Sequence, residues 1–152
     1  MMSADPDPTH RMVVAAELAE LARLATWAGE FARTARLSPD LLFAIQLCIE
    51  EAVANIIMYS GAAEARQHVA VELARSGKDV VAVIEDGGIS FDPTTVPPRR
   101  KPSSLDEAQV GELGIHLIRS FSSGMHYERR NGHNRLTLRF GPTAAAWRDG
   151  AP

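Results

Sequence analysis

Phe43-Ala-Ile-Gln-Leu-Cys-Ile-Glu-Glu-Ala-Val-Ala-Asn55 is the stretch on which the reading of this chain turns. In and around it, Leu41, Leu42, Ile45, Cys48, Ile49, Ala52, Val53 and Ile56 recur with helical period. That spacing predicts a helix with one face on a core. Glu51 and Asn55 stand four residues apart, so their side chains leave the same face one turn apart, along the edge of the apolar stripe. A carboxylate and an amide beside a core are costly to desolvate without a partner. A divalent cation and its bound water would supply one, since both groups offer oxygen ligands. A solvated helix edge is the plainer alternative.

Working outward, Ser38-Pro39-Asp40 offers an N-cap, a proline at the first helical position and an early acid. The helix then runs to about Tyr59 and ends at Ser60-Gly61. Residues 16–36, with Leu18, Leu21, Ala22 and Ala25 at helical spacing, predict an earlier helix. Thr9 to Ala15 holds a short strand, and residues 1–8 read as a disordered lead-in. Downstream, His68–Ala74 and Asp79–Glu85 predict an antiparallel hairpin about Ser76-Gly77-Lys78. Residues 92–110 are proline-rich, carry Arg99-Arg100-Lys101 and Ser103-Ser104, and read as a long functional loop. A helix begins near Gly114 and covers Ile115 to Phe121. Strands over Met125–Arg130 and His133–Phe140 flank Asn131-Gly132, a strong hairpin signal. Residues 141–152 read as a mobile tail in which Trp147 could dock. The order predicts an α/β (α+β) two-layer sandwich: a mixed, mostly antiparallel sheet with helices on one face.

The 152 residues suffice for one domain with a sizeable core, and the net charge of -3 argues against a broad basic surface for nucleic acid. Cys48 is the one cysteine, so no internal disulfide forms, and its place on the apolar stripe reads as a small buried hydrophobe. No apolar run approaches the roughly 18 residues of a membrane span. The acidic, proline-bearing start resembles neither a signal nor a transit peptide, and cytoplasmic residence is expected. His10, His68, His116, His126 and His133 show no metal-ligand spacing on a single helix. Arg129, Arg130, Arg135 and Arg139 on the last hairpin read as a solvated face.

Two further motifs carry chemistry. The strand through Ile84-Glu85 runs into Asp86-Gly87-Gly88. Glycine there can take positive φ and lets a flat ligand approach the backbone, with Asp86 accepting a hydrogen bond from its amino group. A turn capped by the aspartate is an equal alternative. Val110-Gly-Glu-Leu-Gly-Ile-His-Leu-Ile118 places two glycines before an apolar helix. Such a loop feeds free N–H groups and a positive dipole end toward phosphate, or is simply a turn.

Glu-Ala-Val-Ala-Asn, Ile-Glu-Asp-Gly-Gly-Ile-Ser-Phe-Asp-Pro, Leu-Gly-Ile-His-Leu-Ile-Arg and Tyr-Glu-Arg-Arg-Asn-Gly-His-Asn-Arg-Leu-Thr-Leu occur in that order. Over roughly residues 9–140 the chain resembles the GHKL ATPase superfamily, the Bergerat fold shared by histidine kinases, gyrase, Hsp90 and MutL. Without phosphoacceptor-histidine dimerisation helices, it is most similar to the compact bacterial anti-sigma factor serine/threonine kinases. The resemblance implies a single ATP-binding kinase domain over residues 9–140 with an ATP lid at about 94–110. It implies ATP and Mg²⁺ as cofactors, with Asn55 on the metal and Glu51 as the general base toward an attacking hydroxyl. Asp86 would bind the adenine amino group, Gly88 would give room for the base, and Gly111, Leu113, Gly114 and Ile115 would surround the phosphates. Arg99, Arg100 and Lys101 would be optional phosphate partners. The implied substrate is a serine of a STAS-type anti-sigma factor antagonist. A sigma factor is a further implied partner, and a homodimer the implied assembly. Two residues depart from the family pattern: Glu112 stands where a phosphate-loop glycine is common, and Tyr59 where a histidine is common. Glu112 favours a second reading, a non-catalytic nucleotide-binding module that acts by sequestering a partner.

Overall fold

The computed structural model describes residues 9–59, 68–95 and 110–141, with only the backbone of residues 110–112. Strand β1 (His10–Ala15) leads through a short 3-10 turn at Leu18–Glu20 into helix α1 (Leu21–Thr34) and then α2 (Pro39–Tyr59). Strands β2 (His68–Ser76) and β3 (Asp79–Asp86) follow. Helix α3 (Val110–Phe121) and strands β4 (Gly124–Arg130) and β5 (His133–Phe140) complete the order. The sheet runs β1-β2-β3-β5-β4. All four of its ladders are antiparallel, so the expected mixed sheet gives way to a purely antiparallel one. The expectations for residues 1–8, Ser60-Gly61, the lid with its Arg99-Arg100-Lys101 cluster, and the tail with Trp147 fall outside the described residues.

Local chemistry explains the boundaries. The Leu41 N–H donates to Ser38 Oγ at 3.2 Å and the Leu42 N–H to Ser38 O at 3.0 Å, which caps α2 where Pro39 opens it. Helix α1 is shorter than the predicted span over 16–36. Arg36 takes φ 56°, and the Leu37 N–H donates back to Ala32 O at 2.9 Å. This is a left-handed helix stop built on an arginine, where glycine is the usual residue. Asn131 (φ 53°) and Gly132 (φ 77°) both have positive φ, as a two-residue hairpin turn matched to strand twist requires.

The core lies between the helices and one face of the sheet. Alternation on β3 buries Val80, Ala82 and Ile84, and on β5 Leu136, Leu138 and Phe140. Against them pack Leu24, Ala28 and Phe31 of α1, Ile118 of α3, and Leu41, Ala44, Ile45, Cys48, Ile49, Ala52 and Val53 of α2. Helix α2 has 21 residues, and an 18-residue window within it has a mean hydropathy of 1.8, so it is long and apolar enough by length and composition to cross a membrane. This corrects the expectation that no such stretch exists. Its apolar face is buried against α1, α3 and the sheet, which accounts for the composition.

The opposite face of the sheet is covered by charge pairs. Arg135 bonds Glu85 at 3.1 Å and lies 3.6 Å from Glu128, Arg139 meets Asp79 at 3.0 Å, and Arg11 meets Glu72 at 3.4 Å. Such exposed pairs contribute little stability each. Burial therefore carries the fold. Leu138→Ala, at a position with 0% exposure, is expected to lower unfolding free energy by about 2–5 kcal/mol in urea titrations. Leu18→Ala, at 63% exposure, is expected to change it by about 0.5 kcal/mol or less.

Candidate functional site

Both central strands end their inward rows on a polar residue. Continuing Val80, Ala82, Ile84 by one step of the alternation gives Asp86, which is only 4% exposed. Continuing Phe140, Leu138, Leu136 backwards gives Asn134, 8% exposed and directly opposite Asp86 in the register. Two buried polar side chains at the edge of an apolar core must find partners. The Asn134 amide donates to Asp86 Oδ1 at 3.2 Å and to Ile89 O at 2.8 Å. Its Oδ1 accepts from the Tyr127 hydroxyl at 2.6 Å, from Arg129 Nη1 at 3.0 Å and, at a longer 3.4 Å, from the Phe91 N–H.

Asp86 Oδ1 also accepts the Gly88 N–H at 2.9 Å, and Gly88 O accepts from Arg129 Nη1 at 2.9 Å. The segment after β3 is thus an Asx-capped turn clamped from the neighbouring hairpin. Neither Gly87 nor Gly88 takes positive φ; among the described glycines Gly77 and Gly132 do. The conformational argument for the glycine pair is corrected accordingly, because the aspartate side chain makes the turn. No hydrogen bond to Asp86 Oδ2 is formed by a described residue. Arg129, expected on a solvated face, instead bridges Gly88 and Asn134.

Asp86 and Asn134 line a cleft with about 530 Å³ of empty space, part of it open to solvent. Its walls are apolar: Ala52 and Ile56 of α2, Ile84, Ile89, Phe91, Pro93, Ile118 and Leu136, with the rings of Tyr59 and Tyr127. Asn55 is the polar residue that α2 contributes, and its amide makes no hydrogen bond to a described residue. A slot of this kind suits a flat heteroaromatic group with one amine-bearing edge.

Glu51 lies one helical turn before Asn55, where α2 meets α3. Helix α3 begins at Val110, four residues before the expected start, so Gly111 and Gly114 lie inside the helix and not in a loop ahead of it. Packing against α2 outweighs the roughly 1 kcal/mol cost of a helical glycine. A Cβ on Gly114 would come within 2.6 Å of Glu51 Oε2 and 3.5 Å of Asn55 Nδ2. The glycine is therefore a notch in α3 that receives the Glu51 carboxylate and keeps Asn55 close. Ile115 is buried and Leu113 is exposed, and neither they nor Glu51 nor Gly88 lines the cleft. The Glu112 side chain lies outside the described residues. Among the described residues no three His, Cys, Asp or Glu side chains cluster as a metal site.

The architecture and the ordered motifs agree with known proteins. A family model described as "Histidine kinase-like ATPase domain" matches residues 14–140. The chain belongs to this family. It is 34% identical over 112 residues to the serine/threonine-protein kinase BtrW of Bordetella bronchiseptica, covering 74% of this chain and 79% of that protein. Among solved structures it is similar to the histidine kinase domain of the Erythrobacter litoralis EL346 blue-light activated histidine kinase. There the TM-score is 0.50 at 13% identity, over 92% of this chain and 65% of that one, which speaks for the fold alone. Family membership makes this an ATPase-type nucleotide-binding domain of the kinase-like class.

The structure thus brings Asn55 and Asp86 to one cleft and sets Glu51 beside Asn55 at the α2–α3 seam. The residues that sequence reasoning missed are Asn134, Tyr127 and Arg129. The signal for Asn134 was present, since the alternation noted at Leu136, Leu138 and Phe140 reaches it in one further step.

Two groups have electrostatics that can be checked. Burial raises the Glu51 carboxyl above the ordinary glutamate range, and the neighbouring Glu50 adds to the shift. Between the ordinary and the raised value the folded state binds more protons than the unfolded, so stability falls as pH rises through that window. Glu51→Gln is expected to melt above the natural protein at neutral pH, the gap closing in acid below the ordinary glutamate range. Burial, and secondarily Glu51, push the Cys48 thiol up to about 12. In Ellman assays near pH 8 the folded protein is expected to leave Cys48 unreacted until denaturant is added.

Proposed function

We propose that the chain is a Mg²⁺-ATP-dependent protein-serine/threonine kinase. The observation that carries this is the cleft: an apolar slot lined by one buried carboxylate, Asp86, and by the amide of Asn55, with Glu51 one helical turn from Asn55 at the seam with α3. In this reading Asp86 accepts the adenine 6-amino hydrogen bond on Oδ2, and the apolar walls stack the base. Gly88 belongs to the turn that fixes Asp86. Asn55 offers its amide oxygen to Mg²⁺. Mg²⁺ keeps most of its waters and takes few protein ligands besides phosphate, so one amide oxygen fits such a site. The ion would supply charge to neutralise the phosphate oxygens.

Gly111, Leu113, Gly114 and Ile115 surround the phosphate end, and the segment over about 94–110 serves as the lid of a single domain over 9–140. Glu51 takes the proton from the attacking serine hydroxyl as its oxygen bonds the γ-phosphorus and ADP leaves. A raised carboxyl pKa improves its match to that proton transfer near neutral pH. The rest of the catalysis is positioning and electrostatics.

The name of the relative BtrW, a serine/threonine-protein kinase, supports the choice of a hydroxyl acceptor on a protein. We assign as substrate a STAS-type antagonist protein in a cytoplasmic partner-switching pathway, with a sigma factor as the second partner and a homodimer as the working form. The second reading, a nucleotide-binding module that sequesters a partner without catalysis, is favoured by one observation. Glu51 rests on Gly114 and does not line the cleft.

Calorimetry with Mg²⁺ and ATP tests the site. The natural protein is expected to bind, Asp86→Ala to lose binding, and Asn55→Ala to lose the Mg²⁺-dependent part. Glu51→Ala is expected to keep ATP but to lose phosphoryl transfer by roughly a hundredfold or more. Transfer that survives Glu51→Ala removes the general base. Absence of ATP binding even at roughly millimolar nucleotide overturns the kinase reading.

A further inference from the structure

We infer that Asn134 is the positioning residue of the adenine end of the cleft, holding Asp86 so that a single carboxylate oxygen reads the base; this rests on the nucleotide reading above. Donor and acceptor capacity decides the role of Asn134. A primary amide has two N–H donors and two oxygen lone pairs. Both Asn134 donors are taken, by Asp86 Oδ1 and Ile89 O. Its oxygen is taken by Tyr127 and Arg129 at hydrogen-bond distance, with the Phe91 N–H further off. Three donors on one side and two acceptors on the other also fix which way the amide points.

Although Asn134 lines the cleft, it has no remaining capacity to bond a ligand. Its effect on a bound base must pass through Asp86. Oδ1 of Asp86 is held by Asn134 and Gly88, and the turn carrying Gly88 is held by Arg129, which also holds Asn134. The carboxylate cannot rotate without breaking one of these bonds. Oδ2 is left as the acceptor. Tyr127 and Arg129, on β4, complete the frame from the far side of Asn134.

Asn134→Asp tests this directly. It preserves size and the acceptor that faces Tyr127 and Arg129, but it turns the donor facing Asp86 Oδ1 into a second carboxylate oxygen. Affinity for ATP is compared with affinity for purine riboside triphosphate, which lacks the 6-amino group, in the natural protein, Asn134→Asp and Asp86→Asn. The natural protein is expected to prefer ATP by about tenfold or more, the usual worth of a hydrogen bond to a charged group. Asn134→Asp is expected to lose most of that preference while binding the analogue as before, and Asp86→Asn to lose it as well.

Equal weakening toward both nucleotides is the signature of a merely structural role and overturns the inference. So does retention of the full preference in Asn134→Asp. A natural protein with no preference for ATP overturns the Asp86 assignment itself, and the inference with it. If Asn134→Asp does not fold by circular dichroism, Tyr127→Phe carries the test. It removes the hydroxyl that fixes Asn134 Oδ1 and is expected to reduce the same preference by about threefold, without weakening the analogue. An unchanged preference in that variant overturns the inference equally.

Discussion

The inward-facing pair Asp86 and Asn134 is a polar break at the end of an otherwise apolar face, and the surrounding structure is organised by the need to satisfy it. Each sits where strand alternation would place an aliphatic side chain. An unpaired buried carboxylate or amide there would cost several kcal/mol. The cost is offset in part by a set of bonds that runs from β4 through β5 to β3 and into the turn after it. That set fixes the hairpin Gly124–Phe140 against the exit of β3, so the same interactions that satisfy the core also define one wall of the cleft. Such a network rigidifies the members that it pairs, and Asn134 uses its full capacity, while Asp86 keeps Oδ2 without a bond to a described residue.

A second compromise lies at the seam of α2 and α3. Glu51 is a carboxylate drawn partly out of water, and its ionisation is disfavoured by burial and by Glu50. Cys48, one turn earlier on the same helix, has 0% exposure and feels the same charge. An apolar residue at position 51 would pack more comfortably. The carboxylate is accommodated because Gly114 has no side chain, at the cost of placing a weak helix former within α3. A site that spends stability in this way is expected where a group has a task beyond packing.

Much of this was legible in the sequence, and the reasons differ by element. The start of helix α2 at Pro39 and its run to about Tyr59 were legible, because Ser38-Pro39-Asp40 and a sustained apolar period act locally. The Asn131-Gly132 turn was legible because both residues tolerate positive φ. Asp86 and Asn55, which line one cleft, were singled out because each stands in a motif of several residues. Asn134 was not, because an asparagine after an Asn-Gly turn looks like more turn; the alternation reaches it, but its role comes from the register opposite Asp86. Arg129 on an arginine-rich hairpin looks like its solvated neighbours, and its bonds come from tertiary placement. The start of α3 was placed late because two glycines argue against a helix locally, whereas contact with α2 decides the matter. Arg36 in a left-handed stop carries no sequence signal at all.

The Asp86 side and the Asn55–Glu51 side of the site are built on different principles, and this bears on how such a site could work. The Asp86 side belongs to the sheet, where the ladder and the Asn134 network leave no slack. The Asn55 and Glu51 side belongs to a seam between two helices that meet across a glycine. A glycine contact gives a carboxylate room to change rotamer without repacking a core side chain. Under the proposed function the rigid side would recognise the invariant part of the ligand, its base. The adjustable side would meet the part that changes during reaction, the phosphates and the attacking hydroxyl. Glu51 resting on Gly114, outside the lining of the cleft, is then compatible with catalysis, since its carboxylate already lies beside Asn55 and the glycine leaves it room to turn.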